Sequence, residues 1–250
     1  MRDTHRSYHD DALDAQPLEA HLPRRQEVFM KLYFSPLACS LAARIALYEA
    51  GAEASFVEVD PKTKRTEEGA DFRAVHPLGL VPALEIEGGE ILTENAAILQ
   101  LVADRSPEAG LAPRDPLGRA RLQQWLCFIG TELHKAVYVP LLDKAAPAEV
   151  KRYALAKADA RLGWVAGRLE GREFLLDRFS VADAYLFAVL NWSSVTPVDL
   201  KAWPALRAYQ ARLRARPSVA RAFDEEWARF VRETQRHGES LPAGAQRAVG

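Results

Sequence analysis

The residue with the clearest chemical potential is Cys39, which lies between a strand-like segment and a helix-like one. Residues 29–34 are mostly apolar and aromatic, which predicts a short buried strand, and apolar residues recur at helical spacing from Leu41 to Tyr48. A helix N-terminus offers unpaired N–H groups and a partial positive charge, which favour a thiolate and lower the pKa of a cysteine there. Cys39 could equally be a small apolar residue of the core, and its position alone leaves both interpretations open.

The residues around Cys39 narrow the chemistry. Ala42 occupies the position that the second cysteine of a C-x-x-C redox pair would take, so the sequence argues against a dithiol disulfide exchanger. Ser40 either caps the helix or donates its hydroxyl to a bound sulfur, and the two roles are compatible. The other cysteine, Cys127, falls at an apolar position of a predicted helix and is interpreted as a core residue.

Two further segments have residues suited to binding an extended ligand. Val81 and Pro82 open a predicted strand, and proline is tolerated at a first strand position or beside a ligand because it lacks an N–H. If the bond between them is cis, the exposed backbone of Val81 can pair with a peptide-like molecule. Glu94 and Asn95 begin a predicted helix, whose N–H groups suit a carboxylate while Glu94 suits an ammonium. The alternative for Glu94 is simple complementarity to the helix dipole.

A capping box written with aspartate starts another helix. Ser180 is followed three residues later by Asp183, ahead of an apolar run. Such a box satisfies the free N–H groups of a helix N-terminus. We therefore predict that replacing either residue harms folding before it harms binding.

These residues must be positioned by two different kinds of domain. In the first half, strand and helix patterns alternate in the order β-α-β-α-β-β-α within about 75 residues, which predicts a compact α/β unit with a mixed four-stranded sheet. After a cluster of Pro and Gly, the second half shows only helical patterns. The predicted strands are 29–34, 55–59, 81–86 and 90–93, and the predicted helices are 41–51, 70–75, 94–104, 117–137, 148–169, 181–192 and 205–214.

The predicted domain boundaries follow from this organisation. Residues 30–106 form the α/β domain, 107–116 a linker and 117–230 an all-helical domain. The remaining residues are interpreted as a flexible N-terminal extension, 1–29, and a flexible tail, 231–250, irregular above all from about Arg236.

Composition limits the class of protein. The 250 residues include 48% hydrophobic and 27% charged ones, with a formal net charge of -1, so no basic excess points to nucleic acid or an anionic membrane. No apolar run is long enough for a membrane span or a secretory signal. Two cysteines in so long a chain favour a reducing compartment, and we expect a cytoplasmic protein.

Six segments together resemble a cytosolic glutathione transferase, specifically the bacterial beta class. They occur in the same order over residues 30 to about 225. They are Lys31-Leu-Tyr-Phe-Ser-Pro-Leu-Ala-Cys-Ser-Leu41, Val59-Asp-Pro-Lys-Thr-Lys64, His76-Pro-Leu-Gly-Leu-Val-Pro-Ala-Leu84, Leu92-Thr-Glu-Asn95, Thr131-Glu-Leu-His-Lys135 and Phe179-Ser-Val-Ala-Asp-Ala-Tyr-Leu186.

The resemblance implies a thioredoxin-like N-terminal domain with a cis bond before Pro82, an all-α helical-bundle domain and a homodimer. It implies glutathione as co-substrate and no metal. Lys64 matches a residue that contacts the glycyl carboxylate, Val81 the residue that pairs with the cysteinyl backbone, and Glu94 with Asn95 the pair that holds the γ-glutamyl end.

The resemblance also implies which residues surround the glutathione sulfur. Cys39 matches the class cysteine that contacts it, and Ser40 is a nearby donor. His134 matches a histidine beside the sulfur, with Glu132 and Lys135 as neighbours across the dimer. Without the match, His134 would be interpreted as an exposed helix residue.

Two departures from the family pattern matter. Tyr33 stands one position before the end of the first strand and, by strand alternation, is predicted to point to the other face, which makes a tyrosine-activated mechanism doubtful. Asn95 stands where serine or glycine is common, so the γ-glutamyl contact is expected to differ.

Three functional hypotheses follow. The leading one is conjugation of the glutathione thiol to a small electrophile, as in detoxification, with Leu37, Tyr138 and Trp192 as walls of the electrophile pocket. The second is a Cys39-dependent glutathione disulfide reductase or peroxidase that acts through a mixed disulfide. The third is a non-catalytic ligand-binding or protein-interaction module on the same fold.

Overall fold

The computed structural model describes residues 29–242, and its first half is built on a four-stranded mixed sheet. The strand order is β2-β1-β3-β4. β1 pairs in parallel with β2 and antiparallel with β3, which in turn pairs antiparallel with β4. The bounds are β1 Lys31–Phe34, β2 Ser55–Glu58, β3 Ala83–Glu85 and β4 Ile91–Thr93.

Side-chain alternation along β1 divides the sheet into two faces. Leu32 and Phe34 belong to the main core, whereas Tyr33 packs with Phe72 in a smaller cluster. The prediction that Tyr33 points away from the face of Phe34 is therefore confirmed, because successive strand residues point to opposite faces. The Tyr33 hydroxyl donates to Glu85 at 2.9 Å.

Two helices complete this domain. α1 spans Leu41–Glu49 and connects the parallel strands, while α2 spans Asn95–Arg105. The weak helix predicted near residues 70–75 is a 3-10 turn, Phe72–Ala74, begun by an Asp71 side chain that accepts from the N–H of Arg73. The peptide bond before Pro82 is cis. The thioredoxin-like α/β domain is confirmed.

In the described part of the second half, every regular element is a helix. α3 begins at Pro116, the last residue of the predicted linker, and is capped by the Asp115 side chain. The bounds are α3 Pro116–Phe128, α4 Val139–Leu142, α5 Ala148–Leu169, α6 Val181–Leu190, α7 Pro204–Arg214 and α8 Pro217–Arg236. The all-α domain is confirmed.

α3 and α4 are joined without a break by a π-helical segment, Ile129–Tyr138. Pro140, just beyond it, has no N–H to donate to the preceding turn, and the N–H of Val139 reaches back to the carbonyl of His134. Gly130, within the segment, packs close to the Tyr185 hydroxyl, and a Cβ added there would lie 3.5 Å from it, in ordinary van der Waals contact. Wide turns of this kind are frequent at functional sites, and this one carries His134.

The capping box forms as predicted at the start of α6. The buried Asp183 carboxylate accepts from the N–H groups of Ser180 and Leu175 and from the hydroxyls of Ser180 and Tyr209. Burial raises the pKa of Asp183, and these donors oppose the rise. Loss of the Asp183 carboxylate would leave all of these donors without an acceptor at once, which agrees with a structural role for Asp183.

The prediction of a flexible tail from residue 231 is wrong at its beginning. α8 continues to Arg236, and Glu233 and Thr234 are buried. Arg236 pairs with Glu58 at 3.0 Å, and beyond the helix His237 lies 2.8 Å from Asp60. Polar residues at the end of α8 and just beyond it thus form ion pairs with the α/β domain. Residues 1–28 and 243–250, which include nearly all of the predicted N-terminal extension and the last part of the predicted tail, lie outside the described residues.

The two domains share one apolar core. α1 packs against α6 and α8, so that buried residues of both domains form a continuous cluster. Cys127 is not part of it: its side chain is exposed, and the core assignment is wrong. The reason is its position on α3, where the buried side is formed by Leu122, Trp125 and Leu126. In the span 29–242, no helix is both long and apolar enough to cross a membrane.

Candidate active site

Cys39 lies in the six-residue loop 35–40 between β1 and α1, and its thiol is buried. Its Sγ is 3.4 Å from the carbonyl oxygen of Val81, at the cis peptide bond. Burial raises the pKa of Cys39 to about 12, although the nearby Lys135 acts in the opposite direction. The lowered pKa expected from the helix start is therefore not found. α1 begins two residues later, at Leu41, and the cost of burying a charge outweighs its dipole.

Ser40 is fully occupied by its own loop. Its hydroxyl accepts from the N–H of Ser35 at 3.3 Å and donates to the carbonyl of the same residue at 3.2 Å. It forms no cap with α1, so the predicted capping role is wrong. The hydroxyl closes the loop into a compact turn and thereby fixes the direction in which Cys39 points.

The loop is held from behind by the helical domain. The N–H of Leu37 donates to Glu226 of α8 at 2.8 Å, and its carbonyl accepts from the indole N–H of Trp192 at 2.9 Å. Leu37 itself has a positive φ of 55°, a strained conformation for a residue with a side chain. Such strain persists only where the surroundings impose it.

Glu226 is part of a buried ion pair. Its carboxylate accepts from Nε of Arg44 at 2.9 Å, and both side chains are almost completely buried. The Arg44 guanidinium is sandwiched between the rings of Phe34 and Phe56, at 4.2 and 4.0 Å. Burial raises the pKa of Glu226 to about 7, against the lowering effect of Arg44 and of the Leu37 N–H. We call Arg44, Glu226 and Trp192 the anchor.

On the other side of the loop, four of the predicted ligand contacts form one edge. Val81 is half-buried just before β3, and Asn95 begins α2. The Asn95 amide donates to the carbonyl of Cys39 at 2.7 Å, while its oxygen is buried without a hydrogen-bond partner in residues 29–242. We call Lys64, Val81, Glu94 and Asn95 the ligand edge.

Backbone strain is concentrated at these residues. In the described part of the chain, the residues other than glycine with positive φ are Leu37, Lys64 and Glu94. Glu94 has φ 66° and ψ 121° immediately before α2, and its side chain is exposed. All three were predicted as site residues from the sequence. Two of them, Lys64 and Glu94, belong to the ligand edge, and strained backbone clusters at functional sites.

Lys64 is presented by a tight turn. The Asp60 carboxylate accepts from the N–H groups of Lys62 and Thr63, and the Asp60 carbonyl accepts from the N–H of Lys64. The Lys64 stem lies against Gly79, where an added Cβ would approach it to 3.3 Å. Burial and then nearby Arg73 lower the pKa of Lys64. A partly desolvated ammonium of this kind suits a carboxylate.

His134 reaches the site from the π-helical segment and is buried. Its Nδ1 lies 2.9 Å from the Tyr185 hydroxyl, and its ring is 4.9 Å from Trp192. Burial, assisted by Lys135, lowers the pKa of His134 to about 4. The imidazole is therefore neutral at pH 7 and acts there as a hydrogen-bonding group and not as a cation.

The neighbours of His134 point in different directions. Lys135 is exposed on the same segment. Glu132 pairs instead with Arg161 of α5, at 2.6 Å, which leaves its carboxylate engaged within its own domain. Lys135 lies close enough to Cys39 to lower the pKa of its thiol.

An apolar cavity of about 180 Å³ lies beside the loop. Leu37 and Trp192 line it as predicted, and Trp227 and Phe230 of α8 form another wall. Tyr138 does not line this cavity: it is completely buried, and its hydroxyl is 2.7 Å from that of Ser193. Tyr138 packs behind Trp192, with ring centroids 5.9 Å apart.

Arg44, Glu226 and Tyr185 were not predicted from the sequence as site residues, whereas Trp192 was named as a pocket wall. One signal was present: Val219, Ala222, Phe223 and Glu226 fall on one helical face, so a glutamate interrupts an otherwise apolar stripe. Such a residue needs a buried cation. Within residues 29–242, no group of three or more His, Cys, Asp or Glu side chains could hold a metal ion.

Two family models together match most of the chain. Residues 30–104 match the family described as "Glutathione S-transferase, N-terminal domain", and residues 125–217 match "Glutathione S-transferase, C-terminal domain". Glutathione S-transferase GstA of Escherichia coli O157:H7 is 40% identical over 199 residues, which cover 79% of this chain and 98% of that protein.

Solved structures agree with this result. A sphingomonad glutathione S-transferase in complex with glutathione superposes with a TM-score of 0.75 at 45% identity, covering 78% of this chain and 98% of the other. A bacterial beta class glutathione S-transferase of Sphingomonas chungbukensis gives 0.75 at 46% identity, with the same coverage of both chains.

Proposed function

The chain belongs to the glutathione S-transferase family, with bacterial beta-class enzymes among its structural relatives, and from this premise we propose that it conjugates glutathione to small electrophiles. One observation carries the proposal: the ligand edge and the loop around Cys39 offer, side by side, a partner for every polar group of glutathione. Lys64 suits the glycyl carboxylate and the Val81 backbone suits the cysteinyl peptide. Glu94 suits the γ-glutamyl ammonium.

The N-terminus of α2 completes the γ-glutamyl site. Its free N–H groups favour a carboxylate, and the unpartnered buried oxygen of Asn95 provides an acceptor within the same corner. This arrangement, with Asn95 in place of a smaller residue, fits a molecule that carries both a carboxylate and an ammonium at one end.

In this proposal the attacking sulfur belongs to glutathione. The Cys39 thiol, with its pKa near 12, is neutral at pH 7 and serves as a donor close to the glutathione sulfur. The neutral His134 and the cation of Lys135 also lie near this sulfur and favour the thiolate form of glutathione. The electrophile lies in the cavity lined by Leu37, Trp192 and Trp227.

The raised pKa also bears on the second hypothesis, a mixed disulfide on Cys39. Thiol–disulfide exchange needs a thiolate, and a buried thiol of pKa about 12 supplies very little at pH 7. This favours conjugation over a Cys39-dependent reductase or peroxidase. A glutathione adduct at Cys39 during turnover, with activity abolished in Cys39→Ser, would reverse the order of the two.

We also propose a cytoplasmic homodimer. Trp125, Phe128 and Trp164 form an aromatic cluster between α3 and α5, in which Trp125 is buried, the Phe128 and Trp164 rings are 4.5 Å apart and Trp164 is 41% exposed. Aromatic residues are enriched at the centre of protein interfaces. A second copy of the chain covering this cluster would bury it, and sedimentation analysis tests the expected mass of two chains.

Calorimetric titration with glutathione, followed by assay with an activated aryl halide, tests the function. We expect Lys64→Ala to weaken glutathione binding by about tenfold, since it removes a charge-assisted hydrogen bond. Lys62→Ala, a neighbouring lysine whose partner is Glu239, is the matched control and should change little. Failure of the wild-type protein to bind glutathione would leave the non-catalytic module as the better hypothesis.

A further inference from the structure

A second, larger cleft lies away from Cys39, where the interdomain linker meets the helical domain. Its volume is about 800 Å³. The linker, the beginning of α3, the end of α5 and the segment before α6 each contribute to its walls. None of the residues of the ligand edge, the anchor or the loop 35–40 lines it.

Five arginines line this cleft, and all five are exposed. They come from four separate parts of the chain, so they do not form a single charged helix face. Three acidic residues also line the cleft, Glu108, Asp115 and Asp177, and the Asp115 carboxylate is occupied in capping α3. The arginines are Arg114, Arg121, Arg168, Arg172 and Arg178.

The arginines of the cleft differ from most others in the molecule. Of the twenty arginines between residues 29 and 242, eleven pair with a carboxylate within 4.0 Å. The five of the cleft are among the nine that have no such partner in the described range. The chain has a net charge of -1, and most of its arginines outside the cleft pair with a carboxylate. The arginines of the cleft therefore form a cluster of positive charge without carboxylate partners in the described range.

Guanidinium groups are suited to phosphate. Their planar fork of N–H donors matches two oxygens of a phosphate group, and a concave site focuses the field of several like charges. The floor of the cleft is apolar, since Trp125 and Leu175 line it and are buried. A ligand with several adjacent phosphate groups would span arginines from different walls, whereas a single small anion could reach only part of them.

We propose that this cleft is a binding site for small molecules that carry two or more linked phosphate groups. The proposal is independent of the glutathione site, because the two share no residue. Phosphate contacts of this type are electrostatic and weaken as salt rises, so binding at the cleft should fall with ionic strength and should be unaffected by saturating glutathione.

The test is titration calorimetry of the full-length protein with inorganic triphosphate. We expect binding at least about tenfold tighter than that of sulfate, because several guanidinium groups engage one ligand. The double variant Arg121→Gln, Arg168→Gln should weaken triphosphate binding by about tenfold or more. Arg232→Gln, another exposed arginine without a carboxylate partner in the described range, lies outside the cleft and should change it less than about twofold.

Three results would overturn the proposal: no binding of triphosphate at low salt, displacement of triphosphate by glutathione, or equal weakening in the Arg232→Gln control. Circular dichroism of each variant guards against misfolding. All three positions are exposed, so native spectra are expected.

Discussion

The ligand edge and the anchor act on the same loop, yet they are built in opposite ways. Lys64, Val81 and Glu94 are exposed or half-buried, and two of them have strained backbone. Arg44 and Glu226 are buried, paired and joined across the domain boundary. The exposed side leaves side chains free for another molecule, whereas the buried side holds the loop through hydrogen bonds of Glu226 and Trp192 to the Leu37 backbone. The difference suggests that affinity and stability can be changed separately.

The largest effect is expected from breaking the anchor. Glu226→Ala leaves the Arg44 guanidinium buried without its main partner, and losing one member of a buried ion pair costs about 3–5 kcal/mol. The free energy of unfolding, from urea titration, is the measurement. The matched control is Glu225→Ala, which removes a half-exposed partner of the same arginine and should cost about 1 kcal/mol or less. Equal losses of unfolding free energy in the two variants would mean that burial of the Arg44–Glu226 pair does not add to the cost.

A second effect concerns pH and involves Glu233, also on α8. Burial, and then repulsion by Asp60 and Glu58, raises the pKa of Glu233 to about 7. A carboxyl with a raised native pKa binds its proton more tightly when folded, so its contribution to stability is full below about pH 4.5 and is lost as pH rises through about 7. We expect Glu233→Gln to be more stable than the wild type at pH 8 by about 1–3 kcal/mol and to show little difference at pH 5. Urea titrations at the two pH values decide this, and a constant difference would contradict it.

A third variant separates affinity from stability at the ligand edge. Glu94→Gly removes the side chain that suits an ammonium and relieves the positive φ of residue 94. We expect glutathione to bind about tenfold more weakly, while the free energy of unfolding rises by about 1 kcal/mol. Glu94→Gln is the control, since it lowers affinity but keeps the strain. Equal free energies of unfolding for the two variants would mean that the positive φ of residue 94 does not lower stability.

The smallest effect is expected at Cys39. Because the attacking sulfur is proposed to be that of glutathione, Cys39→Ala should keep kcat/KM for conjugation within about threefold of wild type. The measurement is the initial rate at saturating aryl halide over a range of glutathione concentrations. Complete loss of activity with intact glutathione binding would make Cys39 the reacting group.

Local patterns predicted much of the molecule. The helix at 148–169 was predicted with its observed ends, because apolar periodicity persists over its length. The four strands and the Ser180 capping box were also predictable, since each depends on residues close together in sequence. Val81, Glu94 and Asn95 were singled out from local sequence, whereas Lys64 was assigned only through the resemblance to a family. Tyr33 was assigned to the correct face of β1 by alternation alone.

What could not be predicted depends on contacts between distant residues. α8 was not among the predicted helices, and its polar end is held by partners on the α/β domain, such as Glu58 for Arg236. The pKa of Cys39 follows from its burial in the folded protein, where Val81 and Asn95 contact it, and its place before α1 does not reveal this. Cys127 was misjudged since an apolar neighbourhood in sequence does not say which side of α3 is covered.

The hydrogen bond from Leu37 to Glu226 has a consequence for the order of assembly. Its two residues are separated by 189 positions, so the loop that carries Cys39 cannot reach its final conformation until nearly the whole chain has been synthesised and α8 has docked. Contacts between residues so far apart form late, because closing the intervening loop costs entropy before it yields any interaction. The α/β domain can therefore fold first with the loop 35–40 unfinished, and the glutathione site proposed around Cys39 is completed only once α8 has docked.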